Sequence, residues 1–98
     1  MLPVESIAFF EAFNGVVFAY DSNGKKHILT EATLKEIEER LDPTGFFRLN
    51  RSEIIHKSHI EKIERYSKNT IAVKVKGCDR LLKSSQSSTA IFRKWIDE

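Results

Sequence analysis

The spacing of the hydrophobic residues changes along the chain, and these changes predict where its strands and helices lie. The first two apolar runs, "SIAFFEAF" and "VVFAYD", are rich in aromatic and β-branched residues, which favour strands. Asn14-Gly15 lies between them, and an Asn-Gly pair in that setting is typical of a β-hairpin. A second turn, Ser22-Asn23-Gly24, leads into a third short strand, "KKHIL".

The spacing then becomes helical in "TEATLKEIEERLD", where leucine and isoleucine recur every three or four residues. We predict one long acidic helix over about residues 31–41, with Thr30 as its N-cap and Glu31 in its first turn. Pro43-Thr44-Gly45 ends it. Its glutamates would repel a phosphate backbone, so we expect this helix to face away from any nucleic acid.

From Phe46 onwards the spacing is again that of strands. "IEKIERYS" and "TIAVKVKG" form a predicted pair across a turn at Lys68-Asn69, and another turn at Gly77-Cys78-Asp79 leads into "RLLKS". The final segment predicts a short C-terminal helix over about residues 87–96, whose core-facing side chains would be Ile91, Phe92, Trp95 and Ile96. The candidates for its N-cap are Ser84, Ser85 and Ser87.

These elements predict a mainly β domain in which short turns join six or seven strands. Short connections favour antiparallel pairing of strands that follow one another, since parallel pairing needs crossovers. The 98 residues suffice for one domain and contain no repeat and no Pro/Gly/Ser-rich linker. We therefore treat residues 1–98 as a single domain.

The charge is distributed unevenly along the chain. Residues 1–45 contain four Lys/Arg and eight Asp/Glu, whereas residues 46–98 contain twelve and six. A basic half of this kind suggests a polyanionic partner. No apolar run approaches the roughly 20 residues of a membrane-spanning helix, and nothing reads as a signal peptide. The lone Cys78 cannot form an internal disulfide, so we expect a reducing, cytoplasmic location.

The sequence predicts no catalytic, cofactor or metal site. His56 and His59 in "HKSH" would need further zinc ligands, but His27 is distant in sequence and Cys78 is alone. We expect both histidines to be surface or strand-end residues. "SSQSS" (residues 84–88) lacks a nucleophile elbow, and small hydroxyls before a helix usually cap it or donate to phosphate.

A polar triplet interrupts the apolar framework between "FFRL" and "EIIH". It consists of Asn50-Arg51-Ser52 and falls at a predicted loop, as do Asn14 and Gln86. Asparagine, arginine and glutamine can each form paired hydrogen bonds with base edges. Neither predicted helix is suited to insertion into a groove of a nucleic acid. The polar residues at the predicted loops therefore favour recognition of nucleic acid by loops that project from a β scaffold.

The stretch "FFRLNRSEIIHKSHIEKIE" resembles the central signature of the LytTR DNA-binding domain, F-x-R-[VIC]-[HN]-[RN]-S-x-[IVL]-[IV]-N. His56 stands where the family commonly has Asn. The opening "VESIAFFEAFNG", the helical "TLKEIEERLD" and the closing "LLKSSQSSTAIFRKWID" resemble family segments in the same order, so the resemblance covers essentially the whole chain. The matching positions of the central signature are Phe47, Arg48, Asn50, Arg51, Ser52, Ile54 and Ile55.

The resemblance implies an antiparallel β domain with one long helix packed aside. It also implies the output domain of a bacterial two-component response regulator, excised from a longer chain in which a receiver domain precedes it. Such a domain reads promoter repeats in double-stranded DNA as a dimer, with two loops in major grooves and a third region facing the minor groove. Here these regions would be the loop around Asn14, the triplet Asn50-Arg51-Ser52 and the segment around Gln86. Gln86 replaces a family arginine, so base preference is expected to differ.

The predicted DNA contacts divide by role. Bases or groove width would be read mainly by Asn14, Arg51 and Gln86. Phosphates would be contacted mainly by Arg48, Lys57, Lys68 and Lys83. The remaining predicted contacts are Asn50, Ser52, Ser85 and Ser87.

Several residues keep an alternative interpretation. Arg48 could instead pair with Glu61 or Glu64 across strands. Lys57 and Lys83 could be solvated only, and Ser85 could be a helix cap, a phosphate donor or both. The alternative function for the whole domain is a regulatory protein–protein interaction module with the same fold and weak or no specific DNA affinity.

Overall fold

A computed structural model describes residues 4–29 and 32–97. Single turns of 3-10 helix lie at Val4–Ser6 and Lys57–His59. The remaining elements, in chain order, are β1 (Ile7–Phe13), β2 (Val16–Asp21), β3 (Lys26–Leu29), α1 (Leu34–Arg40), β4 (Phe46–Arg48), β5 (Glu53–His56), β6 (Ile60–Ser67), β7 (Thr70–Val75), β8 (Leu82–Lys83) and α2 (Gln86–Ile96).

The strands form two antiparallel sheets, which confirms the predicted mainly β fold. The larger sheet has the order β3-β2-β1-β5-β4 and the smaller has the order β6-β7-β8. The predicted hairpin turn is confirmed, because Asn14 and Gly15 have φ values of 50° and 77°, the positive values that a tight hairpin turn requires. The pairing of β1 with β5, in which Phe10 lies opposite Ile54, joins the first hairpin to the strand that follows the polar triplet.

The larger sheet is covered on both faces. One core cluster contains Phe9, Ile55 and Phe92 and lies between this sheet, the smaller sheet and α2. The other contains Phe10 and Ile54 and lies beneath α1. Because successive side chains of a strand point to opposite faces, adjacent residues of β1 and of β5 enter different clusters. The end of β5 at the polar triplet is thereby held from both sides.

The first helix is shorter than predicted, so the long acidic helix over residues 31–41 is wrong in length. It has seven residues and begins after Thr33, whose hydroxyl accepts from the Glu36 N–H while the Glu36 carboxylate accepts from the Thr33 N–H. It ends because Leu41 is extended, ahead of the turn that contains Pro43. The predicted N-cap Thr30 and the predicted first-turn Glu31 lie outside the described residues.

The C-terminal helix closely matches its prediction. It has eleven residues, and Ser85 is its N-cap. Phe92 and Trp95 are buried, and the Trp95 indole N–H donates to the Pro43 carbonyl at 2.8 Å. Ile91 was expected to face the core, but 60% of it is exposed. It lies to one side of the face that carries Phe92 and Trp95, because adjacent helical residues point in different directions.

Candidate nucleic-acid interface

Three segments that are far apart in sequence lie together at the end of the larger sheet where β1 stops and β5 starts. They are residues 13–15, 50–52 and 85–87, and we call them the loop edge. The Ala12 N–H donates to the Ser52 carbonyl at 2.8 Å, which joins the first hairpin to the triplet. The Ser85 N–H donates to the Leu49 carbonyl at 3.1 Å, which joins the start of α2 to the same turn. The three regions that the resemblance implied are thus neighbours.

The Asn50 side chain is directed into the protein rather than towards solvent. Its amide nitrogen donates to the Glu53 carboxylate at 2.8 Å and to the Lys83 carbonyl at 2.6 Å. Its amide oxygen accepts from the Ser52 N–H at 2.8 Å. One side chain therefore closes the turn on itself and ties it to the strand that precedes α2. Part of the polar triplet is structural.

Arg48 holds the same turn from the other side. Its Nε donates to the Asn50 carbonyl at 3.0 Å, and its Nη2 donates to the Arg51 carbonyl at 2.8 Å. Its Nη1 pairs with Glu38 of α1 at 3.0 Å. The alternative in which Arg48 pairs across strands with Glu61 or Glu64 is therefore wrong. This ion pair joins α1 to the turn; that the helix faces away from any nucleic acid stays a prediction.

Arg51 differs from its neighbours because its guanidinium makes no hydrogen bond or ion pair with any residue in 4–29 or 32–97. The residue is exposed, as is Ser52 beside it. Its backbone carbonyl is nevertheless fixed by Arg48. A positively charged group with five donors is thus carried on a restrained backbone with its donors unused.

Arg80 organises the acidic residues next to the loop edge. Its guanidinium bridges Glu11 of β1 and Glu53 of β5, with 2.9 Å to Glu53 and a close contact to Glu11. The Glu53 side chain is only 8% exposed. Burial opposes the charge of Arg80, but hydrogen bonding and charge from Glu53, together with the charge of Glu11, raise the pKa of its guanidinium. Arg80 thus offsets carboxylates that would repel each other and any nearby phosphate.

Sequence reasoning missed Arg80 because its partners are 27 and 69 positions away. Glu11 is also held by Tyr20, whose hydroxyl donates to it at 3.0 Å. Burial, followed by this hydrogen bond and the charge of Glu11, raises the pKa of Tyr20 to about 12. The Tyr20 hydroxyl thus donates to the Glu11 carboxylate and orients it.

The start of α2 combines capping residues with exposed polar ones. Ser85 and Ser88 accept from each other's backbone N–H groups, at 3.2 Å and 3.1 Å, so the interpretation of Ser85 as a cap is confirmed. Gln86 and Ser87 are exposed at the first turn. Gln86 also lines a groove of about 290 Å³ together with Lys68 and Arg93. Arg93 was not among the predicted contacts, although it lies two helical turns from Gln86.

The predicted phosphate-binding lysines occupy different places. Lys68 lies beside Gln86 in the groove, and the Lys83 ammonium lies 4.3 Å from the centre of the Tyr66 ring. Lys57, by contrast, donates to the Trp95 carbonyl at 3.1 Å, near the C-terminal end of α2. The structure therefore brings the predicted contacts together at or beside the loop edge except for Lys57. The alternative in which Lys57 and Lys83 are merely solvated is wrong, because both have protein partners.

The two histidines considered as zinc ligands are buried structural residues rather than surface ones. His56, at the end of β5, bonds through Nδ1 to the Ile7 carbonyl at 2.8 Å, and His59 bonds through Nε2 to the Glu5 carbonyl at 2.8 Å. Their ring centres lie 4.6 Å apart. Within residues 4–29 and 32–97, no group of three or more His, Cys, Asp or Glu side chains is arranged to hold a metal ion.

Comparison with known proteins gives matches over nearly the whole chain. The family model described as the LytTr DNA-binding domain matches residues 1–97. The transcriptional regulatory protein LytR of Staphylococcus aureus strain N315 is 33% identical over 73 residues, which cover 74% of this chain and 29% of LytR. The transcriptional regulatory protein YpdB of Escherichia coli K12 is 28% identical over 91 residues, which cover 93% of this chain and 36% of YpdB.

A solved structure has the same fold. It is the LytTr DNA-binding domain of a putative methyl-accepting/DNA response regulator from Bacillus cereus, with a TM-score of 0.88 and 23% identity over 99% of this chain and 86% of that one. The present chain spans about a third of the length of the curated relatives it matches. Among its described residues, no helix is long and apolar enough to cross a membrane.

Proposed function

Because the chain belongs to the LytTR family of DNA-binding domains, we propose that it binds specific sequences in double-stranded DNA through the loop edge. The family is one of DNA-binding domains of transcriptional regulators and not a class of enzymes. We further propose that the chain is the output domain of a bacterial two-component response regulator, preceded by a receiver domain. It would act in the cytoplasm, with two copies on repeated promoter sites.

One observation carries this proposal, namely the convergence of three loop segments around an arginine whose donors are unused. Arg51 belongs to the turn that is hydrogen-bonded to the first hairpin through Ser52 and to the start of α2 through Leu49. Arginine can donate two parallel hydrogen bonds to guanine in the major groove, and such a pair is the commonest specific protein–DNA contact. The restrained backbone around Arg51 lowers the ordering cost of binding.

The other predicted residues differ in exposure and in their contacts, which suggests different roles in DNA binding. Asn14 and Gln86 belong to the two segments joined to the triplet and are exposed, so we assign them to base edges or to groove width. The side chains of Arg48 and Asn50 form hydrogen bonds within the turn and to its neighbours, so we assign them to positioning Arg51 rather than to contacting bases. Phosphate contacts would come from the exposed polar groups around them, namely Ser52, Lys68, Lys83, Ser87 and Arg93.

The test begins with in vitro selection of a binding site from random duplexes. The dissociation constants of the chain for the selected duplex and for a scrambled duplex are then compared at two salt concentrations. Arg51→Ala should weaken binding to the selected duplex by about tenfold to a hundredfold, the cost of one lost bidentate base contact. Its melting temperature should change little, because the side chain is exposed and its guanidinium makes no hydrogen bond or ion pair within the described ranges.

Arg40→Ala is the matched control. Arg40 is also exposed, lies at the end of α1 and carries the same charge, so its removal should weaken both duplexes slightly and equally. An Arg51→Ala variant that keeps the full ratio between the two duplexes would contradict the proposed role of Arg51. If selection enriches no sequence, the chain is instead a protein–protein interaction module with this fold.

A further inference from the structure

Strand β6 presents a long open edge. It has eight residues and lies at the end of the smaller sheet, where β7 is its one neighbouring strand within residues 4–29 and 32–97. Most of its residues are exposed, including Ile63 at 42% and Tyr66 at 55%. The backbone N–H and C=O groups on the outer side of such a strand can pair with another strand. Of the sheet-edge strands within the described residues, β6 is the longest.

The residues of β6 are complementary to a second copy of the same strand. If two copies run antiparallel about a two-fold axis at Ile63, every charged residue faces an opposite charge and every apolar residue faces an apolar one. The facing pairs are Ile60 with Tyr66, Glu61 with Arg65, Lys62 with Glu64, and Ile63 with its own copy. Each unlike pair occurs twice because of the symmetry.

Neighbouring registers lack this property. A shift of one position in one direction sets Glu61 against Glu64, and the opposite shift sets Lys62 against Arg65. Like charges directly opposite each other on adjacent strands are destabilising. An axis at Lys62 or at Glu64 sets that residue against its own copy, and parallel in-register pairing sets every charge against itself. The charges of β6 therefore select one register out of these.

The intramolecular contacts of β6 are compatible with this register. Lys62 and Glu64 form an ion pair at 3.1 Å within one chain, on the same face of the sheet. In the paired arrangement, the two copies of this ion pair would form a ring of four alternating charges. The pairing of β6 with β7 is irregular between Ile60 and Lys62 and between Arg65 and Ser67, so Lys62–Arg65 is the uninterrupted part. The axis at Ile63 lies within it.

We propose that a second copy of this chain pairs edge to edge with β6 in the register centred on Ile63, which joins two smaller sheets into one. Backbone hydrogen bonds and the Ile63 contact would provide the affinity, and the charges would select the register. The Ser67 ends of β6, which lie beside the loop edge, would point in opposite directions. The pairing is therefore distinct from two copies side by side on one DNA repeat, and it does not depend on DNA binding.

The test uses a charge swap and needs no DNA. Sedimentation equilibrium is measured for the chain over a concentration series, alone and as variants. Lys62→Glu places two carboxylates opposite each other in this register, and Glu64→Lys places two ammonium groups opposite each other. Each variant alone should therefore associate at least about tenfold more weakly. The two variants mixed in equal amounts should associate again, because each changed residue then faces an opposite charge. The double variant K62E/E64K should associate like the original chain.

Ile91→Glu is the control for a general effect of added charge. Ile91 is a 60% exposed isoleucine on α2, so its replacement should leave association unchanged, whereas Ile63→Glu should abolish it. Circular dichroism melting of each variant checks that the fold is intact. A chain that is monomeric at every concentration, or a dimer that the single charge reversals leave unchanged, would overturn the proposal.

Discussion

Arg80→Met tests the organisation of the loop edge most directly. The substitution keeps an unbranched aliphatic stem but removes the guanidinium that bridges Glu11 and Glu53. Glu53 is left as a carboxylate with only 8% of its side chain exposed and with the Asn50 amide as its remaining side-chain partner among the described residues. A buried charge that loses its partner destabilises the folded state, because the desolvation cost is no longer offset.

The magnitude follows from the exposure of the two partners. Breaking a fully buried ion pair costs about 3–5 kcal/mol, whereas an exposed pair contributes less than about 1 kcal/mol. Glu53 is buried but Arg80 is 52% exposed, so we expect an intermediate loss of about 2 kcal/mol. For a domain of this size, that loss lowers the melting temperature by about 8–16 °C.

Thermal unfolding followed by circular dichroism measures this effect. Arg51→Met is the matched control, since it removes an exposed guanidinium without protein partners in the described ranges and should leave the melting temperature nearly unchanged. Adding Glu53→Gln to Arg80→Met should recover about half of the loss, because it removes the orphaned charge while its amide oxygen still accepts from Asn50. A melting temperature for Arg80→Met within about 2 °C of the original chain would refute this account of the network.

Two further predictions concern salt and pH. Lys68→Gln should lower the slope of the logarithm of the DNA-binding constant against the logarithm of the salt concentration by about one. Lys57→Gln should leave this slope unchanged, because Lys57 donates to Trp95 away from the loop edge. Equal slopes for both variants would show that Lys68 lies outside the interface. Burial holds the pKa of His56 below its usual value; the hydrogen bond to the Ile7 carbonyl opposes this, and the nearby charge of His59 adds to the lowering. Because the folded state disfavours protonated His56, the free energy of unfolding should be highest above about pH 6.5 and fall as the pH drops below it. Urea titrations at several pH values measure this free energy, and it should depend less on pH in the His56→Gln variant.

The secondary structure was largely predictable from local patterns. The hairpin at Asn14-Gly15, the β6–β7 pair and the helix capped by Ser85 depend on side-chain periodicity and turn chemistry within a few residues, and these are visible in the sequence. The first helix was predicted wrongly at both ends. Its start was assigned from a cap at Thr30, whereas the helix begins after the capping box at Thr33, and its apolar spacing reaches Leu41, which is extended.

The candidate site was predictable in position but not in its division of roles. The sequence marked Asn50-Arg51-Ser52 as a break in the apolar pattern. It did not show that Asn50 turns inward to Glu53 and Lys83 while Arg51 keeps its donors unused. That distinction depends on contacts with a carbonyl 33 positions away, which no local pattern encodes.

By itself, therefore, the sequence determined the strands, the turns, the family resemblance and the three segments expected at the interface. Tertiary structure alone decided that β1 pairs with β5, that these segments meet at one edge, and that Arg80 offsets the carboxylates beside it. The physical reason is that periodicity and capping act between near neighbours. Hydrogen bonds and ion pairs at the loop edge instead join residues that only the folded chain brings within reach.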